Sequence, residues 1–354
     1  MKKLNVNSDR SYEILIDRGI LNHCGEYIRP LMRGNKAMII SDTNVFPIYG
    51  GIVKSSLEAQ GVEVYSHIFP AGEGSKSLSS ISKMYSDLAD SGFSRKDIII
   101  ALGGGVTGDM AGFAAATYQR GIDFVQIPTS LLAQVDSSVG AKTGVDISQG
   151  KNLVGAFWQP SAVLIDPDTL NTLSPHFFSD GMAEVIKYGC IKSKELFARL
   201  ERENAADIID EIIYDCVVIK RDVVQRDEHE AGERMLLNFG HTLGHSIEKA
   251  YSYTGITHGE AVGIGMVMMT NASESAGITQ AGTAQRISSL LKKYSLPCCD
   301  STPLKTITDG AFGDKKASGD SLNVVLIDKI GSSFTKKLKK DELYSFIKGG
   351  CKND

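Results

Sequence analysis

His241 and His245 stand four residues apart in NFGHTLGHSIEK, and His258 follows in THGEAVGIGM, so three of the chain's seven histidines fall within eighteen residues. Four-residue spacing puts two imidazoles on one helical face. That suits a shared metal ion, a proton-transfer site or a buried structural pair. Zinc commonly takes imidazole nitrogens and a carboxylate oxygen and keeps one position open in catalytic sites. The glutamate of H-E-x-x-H is absent, because Thr242 follows His241, so a metalloprotease would lack its general base. A carboxylate is available elsewhere. In GMAEVIKYG, Glu184 and Lys187 lie three apart on one face of an apolar helical stretch. A glutamate there needs a partner, either the lysine in a plain ion pair or a metal. Arg234 and Asn238 extend the His241–His245 stripe by one and two turns.

A second cluster lies earlier. The apolar run DIIIAL leads into GGGVTGDMAGFAAATY, with Gly103, Gly104, Gly105, Gly108 and Asp109 at the turn. Successive glycines admit a pyrophosphate to the backbone, and a helix start adds positive dipole. The spacing is not G-x-G-x-x-G, so a tight turn without a ligand stays open. Two further polar segments, Asp42 with Asn44 and Glu73 with Lys76, favour a dinucleotide over a single phosphate. Residues 127–152 show little helical or strand period yet carry Asp136, Lys142, Lys151 and Asn152 among Ser, Thr and Gly. This reads as a long loop, either solvated or functional, and lysines in a glycine-rich loop suit a phosphate or carboxylate.

The elements that must position these groups follow from the wider pattern. KAMIISD (36–42), VEVYSHIF (62–69), DIIIALGGG (97–105) and DFVQIPTS (123–130) read as strands, with amphipathic stretches between them. That alternation implies a parallel sheet with helices on both faces and ligands at the carboxyl ends of its strands. Beyond the Asp166-Pro167 turn the pattern becomes helical, with a short strand pair near LNVVLID (322–328). The fold class is therefore α/β followed by α: a Rossmann-like domain over 1–165 and a mainly helical domain over 166–354. A chain of 354 residues exceeds the roughly 250–300 at which single cores stop growing, which fits two domains.

Net charge is −4, from 38 basic and 42 acidic side chains with no long run of one sign. That argues against nucleic acid or a membrane as partner. No stretch approaches the ~18 apolar residues of a membrane span. MKKLNVNSDRSYEILIDRG has no apolar run behind its lysines, as a signal peptide would. Six cysteines without a C-x-x-C pair fit a reduced, cytoplasmic enzyme.

GGGVTGD, IPTSLLAQVDSSVGAKTGVDISQGKNLVGAFWQP, GMAEVIKYG, RMLLNFGHTLGHSIE and HGEAVGIGM, in this order, together resemble the 3-dehydroquinate synthases of the sugar-phosphate cyclase superfamily. The resemblance runs from about residue 40 to the lysine pair near 315. It implies bound NAD+, a divalent metal (zinc, or cobalt), a homodimer and a sugar phosphate substrate. The implied reaction is a step of the shikimate pathway, towards the aromatic amino acids. It turns 3-deoxy-D-arabino-heptulosonate 7-phosphate into 3-dehydroquinate and phosphate. A substrate hydroxyl is oxidised, phosphate leaves, the ketone is reduced again and the ring recloses by an aldol step, so NAD is regenerated in each turnover.

Carried onto matching positions, Glu184, His241 and His258 resemble the metal ligands, and His245 a proton-transfer group beside the substrate. Arg234 resembles the carboxylate-binding residue, with Lys142, Lys220, Asn238 and one of Lys315 or Lys316 lining the pocket. Arg120, supplied across a dimer interface in the family, resembles a phosphate ligand, with Asn152 and Lys187 nearby. Asp136 and Lys151 match positions between cofactor and substrate. Asp42, Asn44, Glu73, Lys76, Gly104, Gly105, Asp109, Thr129 and Ser130 match the cofactor side, with Lys142 and Lys151 at its edge. GAKTGVD departs from the usual GGKTAIN-like run but keeps Lys142, and Gly74 stands where a longer polar residue is commoner. Cyclases whose substrates lack a carboxylate would change the Arg234, Asn238 and His245 set. Metal-dependent polyol dehydrogenases would not need Lys142, Lys151, Asn152 and Lys187.

Overall fold

A computed structural model describes residues 1–228, 230, 232–312 and 321–350, so Lys315 and Lys316 lie outside the described residues. The chain forms two compact units, residues 1–174 and 175–354. The Asp166-Pro167 turn sits inside the first. Asp166 accepts hydrogen bonds from Gly19 N at 3.0 Å and Leu21 N at 3.2 Å. It also caps the 3-10 turn Pro167–Thr172 through Asp168 N.

The first unit is a seven-stranded sheet: β1 (Lys2–Val6), β2 (Tyr12–Ile16), β3 (Lys36–Asp42), β4 (Glu63–Phe69), β5 (Ile98–Gly103), β6 (Asp123–Pro128) and, later in the chain, β9 (Ala162–Ile165). The order is β1-β2-β9-β6-β5-β3-β4, parallel throughout except for the β1–β2 hairpin at one edge. The sheet is thus wider than the four strands expected. Strands β5, β6 and β9 are buried along their whole length, and β5 and β9 are accordingly unbroken apolar runs rather than alternating ones. On one face α1 (Cys24–Ile28) and α2 (Gly51–Glu58) pack Ile28, Val53 and Leu57 against Ile39, Ile98 and Ile100. On the other, α3 (Leu78–Asp90) and α4 (Gly105–Thr117) pack Ile81, Met84 and Met110 against Met38, Ile40 and Ile99. The direction of winding reverses between β3 and β5, which brings Asp42 and Gly103 to neighbouring strand ends.

The segment expected as a long loop is instead ordered. A π turn over Ala133–Ser137 leads into an antiparallel hairpin of β7 (Lys142–Ile147) and β8 (Gly150–Phe157). Its glycines let the two strands approach closely, since a Cβ on Gly155 would lie 2.1 Å from Thr143 O.

At the opposite end of the sheet Asp97 ties the starts of β3 and β5 together. Its carboxylate accepts from Asn35 N (3.2 Å), Lys36 N (3.1 Å), Ser94 N (2.8 Å) and Ser94 Oγ (2.8 Å). Burial acts to raise its pKa, but these bonds outweigh that and hold it below the ordinary 3.8. Its stabilisation is complete above about 3.8 and is lost as the pH falls through the lower folded value. Asp97→Asn is expected to cost about 1–3 kcal/mol at neutral pH. The deficit should shrink in acid, as read by denaturant unfolding at several pH values.

The second unit contains α5 (Pro175–Ile191), α6 (Lys194–Arg202), α7 (Ile209–Arg226), α8 (His241–Ala250), α9 (His258–Ser275), α10 (Thr283–Lys293), α11 (Leu304–Gly310) and α12 (Lys340–Gly350). One hairpin, β10 (Ser321–Lys329) with β11 (Ser332–Lys339), fulfils the expected strand pair. No described helix is long and apolar enough to cross a membrane.

Two local devices set where the histidines fall. A capping box between Thr257 and Glu260 starts α9, which fixes His258 in its first turn. The start of α8 is set by Gly240, at φ 82°. A side chain there would meet Met266 Cγ at 2.6 Å and Val262 O at 2.7 Å, so α8 and α9 cross with backbone nearly in contact. The expected helical stripe from Arg234 to His245 is therefore broken. Residues Glu233–Asn238 form a 3-10 turn, and the chain redirects at Phe239-Gly240 before α8 begins. Gly240→Ala combines a left-handed backbone with a backbone clash and should cost about 2–4 kcal/mol, measurable by denaturant unfolding.

Candidate active site

The carboxylate of Glu184, in the buried middle of α5, is the point on which the histidines converge. Its Oε1 lies 3.4 Å from His241 Nε2 and 3.4 Å from His258 Nε2. Its Oε2 accepts a hydrogen bond from Lys187 Nζ, one turn along the same helix. The expected lysine pairing is present, with one carboxylate oxygen on Lys187 and the other facing the two imidazoles. Glu184 is 0% and Lys187 1% exposed. The ammonium also sits 5.0 Å from the Tyr188 ring centroid.

One ligand atom from each of Glu184, His241 and His258 lies within 4.8 Å of the others. Donors bonded to a tetrahedral zinc at about 2.0–2.2 Å are roughly 3.4 Å apart. The measured imidazole-to-carboxylate spacing matches that, and two nitrogens with one carboxylate oxygen suit a zinc- or cobalt-class cation. The residues present therefore fit such an ion.

The imidazoles are held differently. His241 Nδ1 lies 3.2 Å from Phe239 O, which fits Nδ1–H donating and Nε2 carrying the lone pair. Burial pushes this imidazole down to about 3, so it is neutral. Burial also acts to lower His258, but Glu184 on one side and Glu248 on the other outweigh it and raise the imidazole to about 10. His245 stands apart in exposure. Its ring centroid is 5.4 Å from that of His241 and 6.0 Å from that of His258, yet its side chain faces solvent. The four-residue repeat thus yields one buried and one accessible imidazole.

Elsewhere in the second unit, Arg234 is 3% exposed, and its Nη1 donates to Glu228 O at 2.5 Å. Asn238 Nδ2 donates to Glu230 Oε1 at 2.7 Å. Lys220 is buried on α7.

In the first unit the polar residues gather at the carboxyl ends of β3, β5 and β6. Gly104 precedes α4, and a Cβ there would lie 3.4 Å from Ser130 Oγ; one on Gly105 would lie 3.2 Å from Ser137 Oγ. Side chains at these positions would fill the groove between the helix start and the Thr129–Ser137 segment. An open backbone cradle at a helix N-terminus fits a pyrophosphate. Asp42 Oδ1 accepts from Asn44 N at 2.8 Å and Val45 N at 3.0 Å, which fixes the β3 end. Lys76, 5% exposed, donates to Asp109 Oδ2 and to Asn152 Oδ1, both at 2.6 Å. Burial alone would depress this ammonium, but Asp109 and Glu73 raise it. Lys151 lies 3.5 Å from Glu73. Asp136 sits in the π turn and Lys142 opens β7.

Arg120 is not brought to this cluster. It follows α4 and precedes β6, at the amino ends of the strands, in a corner where Gln119, Arg120 and Gly121 all have positive φ.

Two acidic groups escaped the sequence reading. Glu248 lies seven residues beyond His241, and its Oε2 is 3.5 Å from His258 Nδ1. Asp180, four residues before Glu184 on α5, accepts from Gly259 N at 2.6 Å. Both were legible as continuations of helical stripes already noted, since spacings of four and seven share a face.

A family model described as the N-terminal part of 3-dehydroquinate synthase matches residues 66–180, and one described as its C-terminal part matches 181–317. A 3-dehydroquinate synthase of Clostridium acetobutylicum is 46% identical over 354 residues, covering 98% of this chain and 99% of the relative. One of Clostridium perfringens strain 13 is 52% identical over 340 residues, covering 94% and 97%. Among solved structures, a 2-deoxy-scyllo-inosose synthase complexed with carbaglucose-6-phosphate, NAD+ and Co2+ superposes with a TM-score of 0.87. It is 26% identical and covers 99% of this chain and all of its own. With matched models running through both units and relatives alike from end to end, the chain belongs to the 3-dehydroquinate synthase family.

Proposed function

We propose that the protein converts 3-deoxy-D-arabino-heptulosonate 7-phosphate to 3-dehydroquinate and phosphate. The observation that carries this reading is the convergence of His241 and His258 on Glu184 Oε1, with the accessible His245 beside them. Bound NAD+ would supply a hydride acceptor that is restored within each turnover, and a bound divalent cation would supply positive charge beside a substrate hydroxyl.

The chain's own residues do the rest. Glu184, His241 and His258 hold the cation, and Lys187 fixes the Glu184 carboxylate through its other oxygen. The Gly104-Gly105 cradle takes the cofactor's pyrophosphate, with Asp42, Asn44, Glu73, Lys76, Asp109, Thr129, Ser130 and Lys151 around the cofactor. Arg234 binds the substrate carboxylate, helped by Asn238, Lys220 and Lys142; Asp136 and Asn152 orient the substrate. His245 moves a proton, because its ring is exposed to solvent while His241 is buried and His258 half-buried. Arg120, at the far end of the strands, serves the phosphate of a second copy of the chain, which makes the working form a homodimer.

Inorganic phosphate should be released from the heptulosonate phosphate only with NAD+ and Zn2+ or Co2+ present, and a chelator should stop it. Steady NADH accumulation with a polyol would overturn the reading in favour of a dehydrogenase. Turnover of a hexose phosphate lacking the carboxylate would favour an inosose-type cyclase, which Arg234 and Asn238 argue against.

A further inference from the structure

We infer that Glu248 is a positioning residue for His258, holding the imidazole in the tautomer and orientation that present Nε2 to the metal. The inference rests on the metal reading of Glu184, His241 and His258, and adds a residue to it.

His258 lies between two carboxylates from different helices. Nε2 is 3.4 Å from Glu184 Oε1 on α5, and Nδ1 is 3.5 Å from Glu248 Oε2 on α8. A neutral imidazole that ligates through Nε2 must carry its proton on Nδ1, and the acceptor waiting there is Glu248. The other histidine is built to the same plan with a different acceptor. His241 Nε2 also faces Glu184 Oε1, while Nδ1 lies 3.2 Å from Phe239 O. Each ligating ring is thus anchored through Nδ1, one by a backbone carbonyl and one by a carboxylate.

The difference between the two anchors follows from local structure. His241 begins α8 just after the Phe239-Gly240 break, so a carbonyl two residues back can reach its ring. His258 begins α9, and its Nδ1 meets a side chain from the facing helix instead. Glu248 is suited to that place. It lies two turns beyond His241 on α8 and is 4% exposed. A buried carboxylate accepting from a ligating imidazole raises the ring's basicity and fixes its rotation, and loss of such a partner typically weakens metal binding by 10–100-fold. Glu248 also lies within reach of a His245 nitrogen, so the rival role is that of a ligand in a second group formed by His245, Glu248 and His258.

Zn2+ titrated into metal-stripped full-length protein against a chromogenic chelator separates these. Glu248→Ala should weaken Zn2+ on the order of 10–100-fold, and Glu248→Gln should recover part of the loss because its amide oxygen still accepts from Nδ1–H. The Co2+ absorption bands of Glu248→Gln at saturation should keep the unaltered shape. Unchanged Zn2+ affinity in both variants overturns the inference. So does a Co2+ spectrum in Glu248→Gln altered as in His258→Ala, which would make Glu248 a ligand. If Glu248→Ala fails to fold, Glu248→Gln alone decides between these results. Failure of the unaltered protein to take up Zn2+ would instead defeat the metal reading itself.

Discussion

Glu184→Ala is expected to destabilise the second unit by about 3–5 kcal/mol and to abolish metal uptake together. The first effect arises from Lys187. With its partner removed, an ammonium that is 1% exposed is left buried without the carboxylate that holds it, and breaking a buried pair on one side typically costs that much. The second arises from Oε1, the oxygen on which both imidazoles converge. Denaturant unfolding of metal-free protein reads the first effect, and elemental analysis after dialysis reads the second. Pairing the change with Lys187→Met should recover part of the stability but none of the metal, because the double change removes the stranded charge without restoring a ligand. A variant that unfolds at the unaltered midpoint and retains metal would refute the arrangement.

The second large effect separates two histidines one helical turn apart. His241→Ala should empty the metal site, whereas His245→Ala should keep the metal and lower the rate of phosphate release by roughly 10²–10⁴-fold, the usual worth of a positioned acid or base. The structure supports the division through exposure and contacts: His241 is buried against Glu184 and Phe239, and His245 is open to solvent. Metal content and single-turnover rate, measured on both variants, test it. Metal loss in His245→Ala with retention in His241→Ala would reverse the assignment.

Much of this was readable from residue types, and the misses have physical causes. Strands β3 and β5 announced themselves because a parallel strand covered on both faces is apolar along nearly its whole length, whereas edge strand β4 mixes exposed and buried positions. The β1–β2 edge hairpin lacked that signature, with exposed residues such as Lys2 and Lys3 in β1, and β9 is only four residues long. The β7–β8 hairpin was hidden because glycines and polar residues occupy both strands, which erases the two-residue period while permitting close approach. The Arg234–His245 stripe assumed one helix through Gly240, a residue whose positive φ ends such continuity. Glu248 was not singled out, standing beside a lysine near the end of α8. Its neighbour Lys249 is indeed exposed, but its own carboxylate turns inward.

That every donor of the proposed metal site comes from the second unit has a consequence for the order of events during synthesis. Residues 1–174 have been made before Glu184 exists, and the donor set closes only when His258 has followed. Because chains fold from the amino end as they emerge, the first unit has to reach its fold without help from the ion. Metal scarcity in a growing cell would then leave nascent chains with a sound first half and an incomplete second, a population that added Zn2+ could complete after translation has ended.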